Sequence, residues 1–386
     1  MTSNNKQFTG KAKGPINIAL IKYWGKDNEE LIIPLNNSLS LTLDTKTFFT
    51  ETKVTITLLP KNANSNNEDI ITLKINNKSS NITQRIKNII EKLKKISSSI
   101  IFPYLKENDL KIEIDSINTF PIASGCASSA SSMSALVMAL ASAFKINNKL
   151  PITEFTKIAR LGSGSACRSI FGGICEWKKE DDSYCVQLYN ENYWDLGIKL
   201  IIVNQQQKEI SSSLGMKISK ETSELFKHRI KYIANNNLEK IKNYISKKDF
   251  NGLAEITMKD SNNFHACCRD SYPTINYLND KSEYIIKAVI LINKMFKINI
   301  CAYTFDAGSN AFIIYENKNF EIINEYFEFI LGITKKTVEE FINSFNGGSF
   351  GEYIDEIHDL INKKPIGEIV KEIVNFNLGE GTKIIE

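Results

Sequence analysis

Four segments of this 386-residue chain carry residue types suited to holding a phosphate or a reacting hydroxyl. In Pro15-Ile-Asn-Ile-Ala-Leu-Ile-Lys-Tyr-Trp-Gly-Lys26, Lys22 closes an otherwise apolar run. On a strand, Ile16, Ile18, Leu20 and Lys22 share one face, because side chains alternate sides. An ammonium placed there either snorkels to solvent or binds an anion. In Pro121-Ile-Ala-Ser-Gly-Cys-Ala-Ser-Ser-Ala-Ser-Ser132, small residues let backbone N–H groups approach an anion, and a helix start adds partial positive charge. No Lys follows Gly125 where the G-x-x-x-x-G-K-[ST] phosphate loop requires one. A small-residue helix packed tightly against a neighbour explains the stretch equally well. Arg160–Gly173 gathers Ser163, Ser165 and Arg168 beside Gly162 and Gly164. Hydroxyls, open N–H groups and a guanidinium suit a phosphate or diphosphate, although a surface loop also collects glycine and serine. Finally, Tyr303-Thr-Phe-Asp-Ala-Gly-Ser-Asn310 places Asp306 at a turn between two apolar runs. Its carboxylate either bonds its own backbone or serves as a general base. The polar patches Ile210–Met216 and Phe264–Ser271 read as helix caps.

The elements that must position these residues follow from periodicity. Short alternating or apolar runs predict strands at Ile16–Tyr23, Lys53–Leu59, Ile70–Ile75, Leu110–Asp115 and Cys175–Lys178. Helices are expected at Gln84–Ser97, with Ile86, Ile89, Ile90 and Leu93 at helical spacing, and at Met133–Phe144. The second half reads as strand Lys199–Val203, helices Glu221–Ala234, Leu238–Ser246, Asp249–Asp260 and Glu283–Phe296, strands Ile300–Thr304 and Asn310–Tyr315, and helix Asn319–Leu331. A boundary falls near 190–197, and the mixture implies an α+β protein with largely antiparallel sheets.

Composition narrows the class. The chain is 42% hydrophobic and 24% charged with a net charge of +4, ordinary values that give a nucleic-acid role no support. No run approaches the roughly 18 apolar residues of a membrane span. The polar start, Met1-Thr-Ser-Asn-Asn-Lys-Gln7, lacks the apolar core of a signal peptide. Seven cysteines without framework spacing read as free thiols in a reducing compartment, so a cytoplasmic protein is expected. The three histidines lie far apart, which makes a protein-ligated zinc site improbable. The Asn-rich stretch Lys61–Asn81 reads as surface loop or compositional bias.

Taken together and in order, these segments resemble the diphosphomevalonate decarboxylase family. Pro15–Lys26 with Ile32-Ile-Pro-Leu-Asn-Asn-Ser-Leu-Ser-Leu-Thr42 is similar to its N-terminus, and Pro121–Ala130 to its Pro-Thr-Ala-Ala-Gly-Leu-Ala-Ser-Ser-Ala loop. Ser163–Gly173, Met258-Lys-Asp-Ser-Asn262, Phe264-His-Ala266 and Tyr303–Asn310 are similar to its remaining signatures, so the likeness runs from Gly14 to Gly381. It implies the fold of the galactokinase, homoserine kinase, mevalonate kinase and phosphomevalonate kinase superfamily. That fold has a domain resembling ribosomal protein S5 domain 2, expected over 1–195, and a ferredoxin-like α+β domain, expected over 196–386. The implied activity is ATP-dependent decarboxylation of (R)-5-diphosphomevalonate to isopentenyl diphosphate, CO2, ADP and phosphate, on the mevalonate route to isoprenoids.

Carried over by position, the resemblance implies that Asp306 deprotonates or orients the C3 hydroxyl and that Lys22 positions substrate and that aspartate. Tyr23, Trp24, Gly25, Lys26, Ser163, Gly164, Ser165, Ala166, Cys167, Arg168, Ser212 and Ser213 fall on diphosphate-binding positions, with Arg85 a further substrate contact. Pro121, Ser124, Gly125, Ala127, Ser128 and Ser129 fall on the ATP phosphate loop. Mg2+ is expected to travel with the nucleotide, with no ligand set from the protein itself, and a homodimer is the family's habit. The chain departs from the pattern at Gly14, Ile122, Ser124, Cys126 and Ser309, where the family usually has Ala, Thr, Ala, Leu and Pro. A relative that phosphorylates without decarboxylating, and a catalytically dead binding module on the same fold, are the alternatives.

Overall fold

In the computed structural model, residues 6–60, 69–106, 108–120, 128–204 and 208–385 are described. Three sheets of four or more strands organise them, beside a two-stranded ribbon of Lys26–Asn28 and Ile33–Pro34. The first has six strands in the order Lys383–Ile384, Gln7–Pro15, Phe49–Leu59, Asp109–Asn118, Ile70–Ile75 and Lys78–Ser80. Its pairings are antiparallel except Ile70–Ile75 with Asp109–Asn118, which run parallel and are connected through helix Gln84–Ile100. The second sheet runs Cys185–Tyr189, Ile174–Trp177, Ser38–Thr42, Asn17–Ile21. The third runs Cys301–Phe305, Ala311–Glu316, Leu196–Ile202, Glu372–Asn377. The expected largely antiparallel α+β arrangement is what the chain adopts.

Helix Gln84–Ile100 forms where the apolar spacing predicts it. Thr83 caps it by accepting the Ile86 N–H, and Ile86, Ile89, Ile90 and Leu93 are its buried stripe. Helix Ser128–Ala143 is buried nearly all round, since its small residues let it lie directly on the strand Gln7–Pro15. A Cβ on Gly10 would stand 2.2 Å from the Ala139 carbonyl, and one on Gly14 2.4 Å from that of Ser131. The tight-packing reading therefore holds for the described part of this stretch, residues 128–132.

Two expectations fail for stated reasons. Lys22 does not share a face with Ile16, Ile18 and Leu20. The pairing of Asn17–Ile21 with Ser38–Thr42 shifts register between Ala19 and Ile21, so Leu20 and Ile21 both enter the core. That bulge moves Lys22 into phase with Asn17 and Ala19, as one extra residue reverses the alternation. Second, the helix expected to end at Asp260 continues to Asp270, so Phe264–Asp270 lies within it, while Ser271, the serine of that patch, stands at its C-cap as expected. Within the polar run that follows, Asp260 and Ser261 are buried and hydrogen-bonded to other elements. Strands Gln7–Pro15, Ser38–Thr42, Cys185–Tyr189 and Glu372–Asn377 and helices Val338–Ser344 and Ile354–Asn362 have no counterpart among the expected elements.

The two halves of the chain share a core. One apolar cluster joins Ile18, Leu39 and Leu41 of the second sheet to Ile198, Phe312 and Phe376 of the third and to Ile241 and Leu253 on the helices between them. Strand Lys383–Ile384 closes the chain by returning to Gln7–Pro15.

Candidate active site

A cleft of about 960 Å3 opens where the ends of the second and third sheets meet the start of helix Ser128–Ala143. Lys22, Tyr23, Trp24, Lys26, Arg85, Ser128, Ser129, Ser163, Gly164, Ser165, Arg168, Ser212, Ser213 and Asp306 all line it. The expected residues Gly25, Ala166 and Cys167 do not. Gly25 supports the turn behind the cleft with φ +88°, and Ala166 and Cys167 are buried in the core. Pro121, Ser124, Gly125 and Ala127 lie outside the described residues, as does Cys126.

At its floor the Lys22 ammonium donates to Asp306 Oδ1 at 2.8 Å. The lysine side chain is 3% exposed and the aspartate 32%, so the carboxylate is the open member. Burial lowers the Lys22 pKa, while the charges of Asp306 and Asp260 oppose that and Arg168 adds to it. Asp306 follows strand Cys301–Phe305 and begins the turn foreseen there, its carbonyl accepting from the Gly308 N–H.

One wall is built for an anion. Arg168 is 3% exposed, donates Nη2 to Asn17 Oδ1 at 3.3 Å, and lies over the Trp177 ring with its guanidinium carbon 5.7 Å from the centroid. Among the described residues, Arg168 Nε and Nη1 and the Tyr23 hydroxyl are buried without a hydrogen-bond partner. Leaving such groups unmet is costly, and both residues line the cleft, so a ligand that reached them would meet donors in need of an acceptor. Gly164 is required here, because a Cβ would stand 2.7 Å from Trp177 and 2.9 Å from Tyr23. Ser163 Oγ donates to Ser129 Oγ at 3.1 Å and shares a 3.1 Å contact with Ser165 Oγ. Trp24 is anchored by its indole N–H to Ser219 Oγ at 3.0 Å. Lys26 is 3% exposed, and its ammonium meets Glu29 at 2.6 Å. Arg85 reaches the Gly162 carbonyl at 3.4 Å.

Some lining residues were invisible to sequence reasoning. Lys208 donates to the Ala307 carbonyl at 2.9 Å and to Ser212 Oγ at 3.1 Å, and burial lowers its pKa against the pull of Asp306. Its setting, Gln205-Gln-Gln-Lys208, carries no signal of an active-site cation. Asn17 holds the phosphate-type loop by donating to the Ser165 carbonyl and Ser169 Oγ. Ser211, as expected of a cap, accepts the Leu214 N–H at the start of helix Ser212–Thr222.

Lys22, Lys26, Arg85, Arg168 and Lys208 line the cleft with Asp306, the one carboxylate among its described lining residues, an arrangement suited to an anionic substrate with a proton to give or align. Among the described residues, no three His, Cys, Asp or Glu side chains gather as a metal site, and no helix is long and apolar enough to cross a membrane.

Residues 14–187 match the model of the diphosphomevalonate decarboxylase-like N-terminal domain, and residues 198–385 that of the mevalonate 5-diphosphate decarboxylase C-terminal domain. The diphosphomevalonate decarboxylase of Saccharomyces cerevisiae is 38% identical over 355 residues, covering 88% of this chain and 87% of that protein. A crystal structure of mevalonate 5-diphosphate decarboxylase superimposes with a TM-score of 0.79 at 32% identity, covering 98% of this chain and 97% of that one. A complex of MDDEF with MVAPP, AMPPCP and magnesium matches with a TM-score of 0.73 at 29% identity, over 99% and 100% of the two chains.

Proposed function

The chain belongs to the diphosphomevalonate decarboxylase family, and we propose from this that Lys22 and Asp306 are the catalytic pair of its reaction. Its fold is the α+β fold of the GHMP kinases. The activity is ATP-dependent decarboxylation of (R)-5-diphosphomevalonate to isopentenyl diphosphate, CO2, ADP and phosphate, in the mevalonate pathway. The observation that carries the residue assignment is the 2.8 Å ion pair whose carboxylate alone stays open to the cleft.

Phosphorylating the tertiary C3 hydroxyl turns a poor leaving group into phosphate. As it leaves, positive charge grows at C3 and draws the electrons of the C–CO2 bond, releasing CO2. Asp306 takes or aligns the hydroxyl proton, and such a positioned base contributes roughly 10²–10⁴-fold. The Lys22 ammonium fixes the direction of that carboxylate. Arg168, Tyr23, Lys26, Trp24, Arg85, Ser163, Gly164, Ser165, Ser212 and Ser213 receive the diphosphate end, where the buried unpartnered donors of Arg168 and Tyr23 support the reading. Ser128 and Ser129, at the start of a 16-residue helix, face the ATP phosphates, and Lys208 adds a cation beside Ser212 and Ala307. Fixed cations lower the barrier because they meet charge as it moves onto the transferring phosphoryl. Mg2+ carried on the nucleotide neutralises part of its phosphate charge.

We read 1–195 as the domain bearing the nucleotide loop and 196–386 as the domain bearing Asp306. Six described cysteines are free and buried, which supports a reducing, cytoplasmic setting. A homodimer, tested by sedimentation, completes the proposal. Incubating the chain with Mg2+, ATP and (R)-5-diphosphomevalonate and identifying products by mass spectrometry tests the function. Isopentenyl diphosphate and ADP in equal amounts are expected; ADP with a stable 3-phosphorylated product would instead mean a kinase that stops there.

A further inference from the structure

Helix Phe250–Asp270 passes behind both members of the Lys22–Asp306 pair and touches the backbone beside each. Asp260 Oδ2 accepts the Lys22 N–H at 2.8 Å. The next residue, Ser261, accepts through Oγ the N–H of Phe305, which precedes Asp306, at 3.1 Å. Asn262 Oδ1 then accepts the Tyr303 hydroxyl at 3.0 Å on the same strand. Three consecutive residues thus grip two elements 284 positions apart, whose separation no local geometry sets.

The grip on Lys22 is fastened on both of its backbone groups. Arg229 donates Nη1 and Nη2 to Asp260 Oδ1 and Oδ2 at 3.0 and 2.8 Å, with neither side chain exposed. The same guanidinium donates to the Lys22 carbonyl at 3.2 Å, and Asn36 Nδ2 joins it at 3.1 Å. Asn237 Nδ2 supports Asp260 Oδ1 at 3.0 Å. Arg229 opens a single π-helical turn, Arg229–Ile233, a local distortion frequent at functional sites. A buried ion pair is a weak source of stability, and apolar residues of like volume often serve as well. What this pair supplies that apolar residues cannot is direction: one acceptor for the Lys22 N–H and one donor for its carbonyl.

We propose that Asp260 and Ser261 are positioning residues for this reaction: through the Lys22 and Phe305 N–H groups they set the separation between the Lys22 ammonium and the Asp306 carboxylate. The proposal rests on the catalytic assignment of Lys22 and Asp306 made above. A displacement of about 1 Å in such a pair can cost on the order of a hundredfold in rate.

The test uses the full chain carrying Ser261→Ala or Asp260→Asn. Ser261→Ala removes one hydrogen bond, and is expected to lower kcat roughly tenfold or more with KM for ATP and for diphosphomevalonate within about threefold. Wild-type kcat in that variant, or a raised KM at unchanged kcat, overturns the proposal, as does a drop in Tm alone. Asp260→Asn leaves the Arg229 charge uncompensated; if it folds, the same kcat loss is expected, and if it does not, Ser261→Ala decides. A crystal structure of Ser261→Ala reads the geometry without any turnover. A Lys22–Asp306 contact lengthened beyond about 3.5 Å supports the proposal, and an unchanged contact overturns it. Failure of the wild-type chain to make isopentenyl diphosphate would instead sink the functional reading, and the crystallographic distance would still decide this one.

Discussion

The Lys22 ammonium and the Asp306 carboxylate meet at 2.8 Å, but water reaches only one of them: the lysine is sealed and the aspartate is about one-third open. This asymmetry is the ground for the proposed roles, in which the sealed cation orients and the open carboxylate meets the substrate.

Replacing Asp306 by Asn keeps the shape and removes the proton acceptor. Asp306→Asn is expected to lower kcat by at least about a hundredfold while KM for diphosphomevalonate changes little. Steady-state kinetics check this, and more than a tenth of wild-type kcat would remove Asp306 from the base role.

Arg168 presents two buried nitrogens, Nε and Nη1, with no partner among the described residues. Hydrogen bonds to charged groups contribute about 1.5–3 kcal/mol, so Arg168→Ala should raise KM for diphosphomevalonate roughly ten- to a hundredfold. Calorimetric titration with diphosphomevalonate measures it directly. Affinity equal to wild type would place the diphosphate elsewhere.

Lys26 is buried, yet its ammonium is held by Glu29, whose side chain is 59% exposed. A diphosphate taking the Lys26 charge must displace that carboxylate. Glu29→Gln is therefore expected to lower KM for diphosphomevalonate severalfold, because an exposed ion pair contributes no more than about 1 kcal/mol. An unchanged or higher KM would show that Glu29 does not compete.

His265 predicts acid sensitivity. Burial, and then the nearby Lys22 charge, push its pKa down to about 3 from 6.5, against the opposing pull of Asp306. The unfolded chain takes up this proton below about pH 6.5 and the folded one does not. The stability that keeps His265 neutral is thus intact above pH 6.5 and is lost as pH falls toward 3, by up to about 1.4 kcal/mol per pH unit. In His265→Gln, stability measured by denaturant titration should fall less steeply with acid. Parallel slopes for the two proteins would locate the acid response in other groups.

Much of the site was legible because residue type restricts chemistry. A lysine ending an apolar run, an arginine after Gly-Ser-Gly-Ser and an aspartate in a turn between strands each stand out against the composition around them. Lys208 did not stand out, since a lysine in a polar stretch is the commonest surface pattern; only its contacts with Ala307 and Ser212 mark it. The same holds for Asp260, where the expected helix stopped, and for Arg229, inside the expected helix Glu221–Ala234; only their partners mark them.

From the sequence alone came most of the strands and helices and the α+β class, because these depend on local periodicity, while the reaction type came from the resemblance of the ordered motifs to a known family. The tertiary structure alone decided that Lys22 shares a face with Asn17 and Ala19 rather than with Ile16, Ile18 and Leu20. It also brought Asp306 within hydrogen-bonding distance of Lys22, and set Gly25, Ala166 and Cys167 behind the cleft rather than in it. A strand bulge and a contact across 284 residues arise from the packing of whole sheets against a shared core, and no local pattern encodes that packing.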